Sequence, residues 1–128
     1  MRKTTDLAVI SNLFFMIPLL LAISQSNIYH IALISILILS SFLYHFYKEL
    51  KFFIFDLVCA ILLISYNFYS FYLFGYYSIN FLVALLFVGV GFIFYFKSLH
   101  KNYSFNHAIW HLCSSIITIL AVLSVKGI

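Results

Sequence analysis

Five apolar stretches follow one another in this chain with short polar breaks between them, at residues 7–25, 28–47, 52–72, 79–96 and 105–125. A helix rises about 1.5 Å per residue, so roughly twenty residues cross the ~30 Å hydrocarbon layer of a bilayer. Inside hydrocarbon a backbone has to satisfy its own hydrogen bonds, and a helix does that within one segment. The expected fold is therefore all-α, a single polytopic transmembrane helix bundle of about five spans covering residues 1–128. Composition excludes the soluble alternative: 8% of the residues are charged and 66% hydrophobic, against about 25% charged in an ordinary soluble domain.

The breaks and irregularities are readable locally. Met1-Arg2-Lys3 ahead of an apolar run also fits a secretory signal peptide, but the run is longer than the usual apolar core and carries Asn12 midway. It is read as the first span. Pro18 within it removes one backbone donor and is expected to bend the helix, with a neighbouring helix re-satisfying the freed carbonyl. Gly89-Val90-Gly91 lies inside a span and fits a close helix contact better than a phosphate cradle. Cys59 and Cys113 both fall within spans and are expected to be free, buried thiols. The net charge of +4 comes from loop lysines beside lipid, which argues for no nucleic-acid partner.

Orientation follows from those lysines. With five spans, Arg2, Lys3, Lys48, Lys51, Lys97 and Lys101 share one side and only Lys126 lies on the other. Basic loops stay in the cytoplasm, so the N-terminus is expected to be cytoplasmic. The membrane would be the bacterial inner membrane or, in a eukaryote, that of the endoplasmic reticulum or Golgi. An extra short helix within 52–80 would spoil this asymmetry.

Polar residues inside the spans gather at one depth. His107 and His111 are four apart near the start of the fifth run, and so share a helix face. His45 and, one turn earlier, Ser41 lie toward the cytoplasmic end of the second run; Asp56 lies near the same end of the third. All should sit within about 10 Å of the inner hydrocarbon boundary. An ionisable group in hydrocarbon needs a partner and marks a functional site by default. Three histidine nitrogens with an open fourth position describe a catalytic zinc site, whereas structural sites are closed by four protein ligands. In such a site Asp56 would accept a proton or orient the attacking water, and Ser41 would hydrogen-bond a developing oxyanion.

This set, Ser41-x3-His45, Asp56 and His107-x3-His111, resembles the CREST superfamily of membrane hydrolases. That group includes alkaline ceramidases, adiponectin and progestin receptors, post-GPI-attachment lipid-remodelling proteins and myomaker-like proteins. The local match is closest to alkaline ceramidases. His107-Ala108-Ile109-Trp110-His111-Leu112 is similar to their H-A-W-W-H-I run. Ser11-Asn12-Leu13-Phe14-Phe15-Met16-Ile17-Pro18 is similar to the S-N-L-x-x-x-I-P of their first helix. Tyr103 ahead of the histidine pair echoes the myomaker-like group. The resemblance implies zinc held by His45, His107 and His111, with Asp56 and Ser41 at the water and the substrate carbonyl. It departs in two places. The family usually has seven spans; losing one hairpin between the third and last would keep the last helix's direction and thin the wall around the substrate. A dimer or an open, lipid-filled cleft would follow. Met1 to Asp6 also lacks the acidic, aromatic calcium motif of alkaline ceramidases.

The expected function is that of a zinc-dependent, ceramidase-like intramembrane hydrolase cleaving an amide or ester of a membrane lipid, with a homo-oligomer as an option. The alternatives are a haem-binding membrane bundle and a non-catalytic, receptor-like or structural protein of the same fold. The remaining polar residues have plainer readings. His30 is expected at the outer interface, His100 near lipid phosphate, and Trp110 in packing or at the interface. Ser114 and Ser115 read as small packing residues, and Ser11 and Asn12 as candidates for interhelical hydrogen bonds.

Overall fold

The computed structural model describes residues 6–74 and 78–125. Among them, five helices are long and apolar enough to cross a membrane: Leu7–Ser24, Ile28–Tyr47, Leu50–Phe74, Ile79–Ser98 and Tyr103–Val125. The second coincides with its apolar run; the first, fourth and fifth differ from theirs by one or two residues at one end, and the third is longer by two at each. The third span is one unbroken helix, so among the described residues no extra helix follows it. Arg2, Lys3 and Lys126, which enter the orientation argument, lie outside the described residues, as does the 75–77 part of the turn.

Polar residues at the breaks start the helices. Asp6 accepts from the Ala8 backbone N–H at 2.8 Å, Asn27 from that of His30 at 3.3 Å, and Ser78 from that of Phe81 at 3.2 Å. Each satisfies a donor that the helix itself leaves open.

Polarity is inverted relative to a soluble bundle. Leu20, Leu50 and Leu86 are all more than 60% exposed, as side chains facing lipid should be. The interior instead holds Ser40, Ser41, His45, Asn67, Ser70, His111, Ser115 and Thr118. With lipid as apolar as any leucine, such bundles are held by close packing and interhelical hydrogen bonds. The apolar core joins Phe15, Ala22, Ile34, Leu37, Cys59, Leu63 and Val122. Cys59 and Cys113 are free and buried.

The fifth span is the hub, packed against the first, third and fourth. Gly91 allows the fourth to approach: a Cβ there would come within 3.2 Å of Cys113 and Trp110, whereas Gly89 faces open space. Only half of the glycine pair therefore makes the contact its sequence suggests. The third and fourth spans, although consecutive, do not pack along their length. They meet near their connection, where the Phe71 and Phe81 rings are 5.5 Å apart, and a cleft separates them beyond it.

The first span is not a uniform helix. Residues Ser11–Phe15 form a 3-10 stretch ahead of the α-helical Met16–Ser24. Pro18 brings no N–H to the Phe14 carbonyl, and Ser115 of the fifth span donates to that carbonyl at 2.7 Å. Ser115 is thus the neighbour that repairs the proline, more than a packing residue. Ser115→Ala should cost about 1–2 kcal/mol of thermal stability. The loss should shrink in a Pro18→Ala background, where the backbone supplies its own donor. An equal loss in both backgrounds would show that the two residues are not coupled.

His30, in the first turn of its span, is turned into the bundle. It is fully buried, with Asn27 Nδ2 at 2.8 Å from its Nδ1 and Asn67 Oδ1 at 3.1 Å from its Nε2. An imidazole with both nitrogens hydrogen-bonded is tolerated inside the bundle, where an unpaired one would not be.

Candidate metal centre

The pair His107 and His111 on the fifth span meets His45 from the second. One ligand atom from each of the three lies within 4.8 Å of the others, and all three residues are buried. Ring centroids are 4.6 Å apart for His45 and His107, 4.7 Å for His107 and His111, and 5.1 Å for His45 and His111. The helices explain the convergence. His45 is in the last turn of its span, and His107 and His111 are in the first turns of theirs. The two spans run oppositely, so at ~1.5 Å per residue all three lie within about 12 Å of the same, lysine-bearing end.

Aromatic and polar neighbours hold the rings. Tyr103 stacks on His107 with centroids 4.9 Å apart, and its hydroxyl is 3.3 Å from His45 Nδ1. Phe15 packs edge-on to His111. Ser11 Oγ lies 2.6 Å from His111 Nδ1 and 3.0 Å from the Ala8 carbonyl. A hydroxyl has one proton. The assignment satisfying both contacts has Ser11 donating to Ala8 and accepting the Nδ1–H of His111. Nε2 of His111 then keeps its lone pair. Metal-binding histidines are oriented in this way, by an acceptor on the nitrogen that does not bind metal.

Ser41 and Asp56 stand where a reacting group could use them. Both line one cavity of about 520 Å³ with His107, His111 and Trp110, walled mainly by the third, fourth and fifth spans, with Leu37, Ser41 and Tyr44 of the second and Phe15 of the first. Asp56 Oδ1 accepts from Ser40, at 3.1 Å, not from Ser41. The Ser40 hydroxyl also reaches the Leu37 carbonyl at 3.1 Å, so its one proton is shared between carboxylate and carbonyl, and Ser41 is left at the cavity wall. Trp110 also belongs to that wall and packs on Phe92 and Tyr95. Asn12 is not part of the group. Its buried amide faces a separate narrow groove between the first and second spans, with neither polar atom hydrogen-bonded.

Ser11 and Ser40 are the residues whose roles here are not readable from sequence. Ser11 stands one hundred positions from His111, and only tertiary packing reveals which ring it holds. Ser40 and Ser41 are chemically alike neighbours, and the helix's rotation decides which one meets Asp56.

The donor set fits a metal ion. Three neutral imidazoles present three nitrogen lone pairs at mutual distances that one ion can bridge, a chemistry that zinc favours. No protein-family model matches this chain, and neither a curated protein nor a solved structure matches it. The functional reading therefore rests on the geometry of the site.

Ser11→Ala should weaken zinc binding by about 10–100-fold, the usual cost of losing an orienting partner, while Ser11→Thr retains it. Chelator competition on detergent-purified protein measures this. Wild-type affinity in Ser11→Ala would remove Ser11 from the site.

Proposed function

We propose that this chain is a zinc-dependent intramembrane hydrolase that cleaves an amide or ester bond of a membrane lipid. The observation that carries the reading is the shared cavity: His107 and His111 of the three-histidine group line the same apolar chamber as a carboxylate and a serine hydroxyl. His45, His107 and His111 would hold the ion. A zinc ion with three protein ligands and an open position lowers the pKa of bound water to about 7, supplying a nucleophile at neutral pH.

The chain's own groups do the rest. Asp56, with one oxygen held by Ser40, presents a carboxylate able to take the proton of the attacking water and return it to the leaving amine or alcohol. Ser41 offers its hydroxyl to the oxygen on which charge develops. Apolar side chains such as Leu57, Ile61 and Phe92 exclude bulk water and seat a hydrocarbon chain. The site's depth near the lysine-bearing end suits a bond at the headgroup–acyl junction, and we place that end in the cytoplasm by the excess of basic residues there.

The ring contacts favour zinc over haem. Haem bound by two histidines needs them to face each other across the macrocycle, whereas these three rings contact one another directly. A receptor-like role would leave lipid bound but intact, and turnover separates the two readings.

Membranes carrying wild-type protein should be depleted in one lipid class, with its fatty acid and its amine or alcohol raised, relative to membranes carrying His111→Ala. Asp56→Asn should retain the metal yet lose roughly 10²–10⁴-fold in turnover. Unchanged turnover in Asp56→Asn would refute the role assigned to the carboxylate.

A further inference from the structure

The cavity does not end at the histidines. Its wall continues along the third and fifth spans to Asn67 and Thr118. Asp56 and Asn67 are eleven residues apart on one helix, as are His107 and Thr118 on the other. Both helices thus separate the two polar ends by about 16 Å. Between them lie apolar side chains, among them Ile61, Ile64 and Ile117.

The far end is built with care for its orientation. Asn27 Nδ2 lies 2.8 Å from His30 Nδ1, which assigns the His30 proton to Nε2, and that N–H points to Asn67 Oδ1 at 3.1 Å. This fixes which end of the Asn67 amide is oxygen. Asn67 Nδ2 donates to Thr118 Oγ1 at 3.0 Å, and Thr118 donates onward to the Ser114 carbonyl at 2.9 Å. An asparagine amide has two donors and room for two acceptances, so this network engages half of what Asn67 offers. One N–H and one lone pair are left over, on a residue that lines the cavity.

We infer that Asn67 and Thr118 form a second recognition point, which reads a hydroxyl group carried on the hydrocarbon chain of a membrane amphiphile whose carbonyl end lies at the histidines. The naming of the carbonyl end rests on the hydrolase reading; the hydroxyl site does not. An extended chain gains about 1.2 Å per bond, so the hydroxyl sits roughly a dozen carbons from the carbonyl. The amphiphile enters sideways from lipid, through the cleft between the third and fourth spans. Their separation leaves cavity-lining Leu57, Ile61 and Phe92 more than 40% exposed.

Trp110 is the sole tryptophan of the chain and lines this cavity, so its fluorescence reports occupancy. With purified protein in lipid nanodiscs, dibrominated stearate should quench Trp110. 12-Hydroxystearate should reverse the quenching at about tenfold lower concentration than stearate or 3-hydroxystearate, the difference made by one hydrogen bond in an apolar site. Asn67→Leu should abolish the preference while stearate still competes, and the nearly isosteric Thr118→Val should at least halve it. Absence of quenching, equal competition by all three acids in the wild type, or a preference that survives in folded Asn67→Leu would overturn the inference. If Asn67→Leu fails to fold, an undiminished preference in Thr118→Val overturns it instead. None of these readings requires turnover, so a failure of the hydrolase proposal would show separately, in the lipid comparison.

Discussion

Imidazoles buried in a membrane bundle have to be partnered, and most of this structure can be read as a consequence of partnering them. His111 needs an acceptor on Nδ1, and the first span brings one through Ser11. That contact binds the first span tightly to the fifth. Three more hydrogen bonds join the same helices: Ser104 Oγ donates to Asp6 at 2.6 Å and accepts the Ala8 N–H at 3.3 Å, and Ser115 Oγ donates to the Phe14 carbonyl at 2.7 Å. All four belong to the half of the first span at the lysine-bearing end, where the 3-10 stretch lies. The proline that follows this stretch is tolerated because the fifth span meets the carbonyl it strands.

The bundle has two polar layers with hydrocarbon between them. One is the histidine group with Ser11, Tyr103 and Asp56; the other is His30 with Asn27, Asn67 and Thr118. Each layer ties together helices distant in sequence, as hydrogen bonds should where burial of apolar surface gives no preference for protein over lipid. The fourth span leans chiefly on the fifth and reaches the histidine layer through the ring of Tyr95, 6.4 Å from that of His107. It is the span that can stand apart from the third and leave the chamber open to the bilayer. A substrate dissolved in lipid can reach such a site without crossing water.

Much of this was legible in the chain itself. Apolar length defines the spans, and the second could be read to the residue because Asn27 caps one end and Lys48 closes the other in a left-handed turn. The positions of His45, Asp56, His107 and His111 relative to helix ends follow from counting residues, and counting puts them at one depth. What counting cannot supply is rotation. Whether Ser40 or Ser41 meets Asp56, whether Asn12 faces the site or the groove between the first and second spans, and whether Gly89 or Gly91 makes the close contact all turn on helix facing, which packing decides. The burial of His30 escaped the sequence for a related reason. Nearness to a span end suggests an interface, but the partners that draw it inward, Asn67 and beyond it Thr118, are far away in sequence.

The claim on which the functional account stands is that the three imidazoles share one ion. X-ray absorption at the zinc edge of the purified, zinc-loaded protein tests it most directly. The account predicts a four-coordinate shell of nitrogen and oxygen at ~2.0–2.1 Å, with the multiple scattering of about three imidazoles and no sulfur. Zinc bound through Cys59 or Cys113, or a hydrated ion showing no imidazole signal, would contradict it.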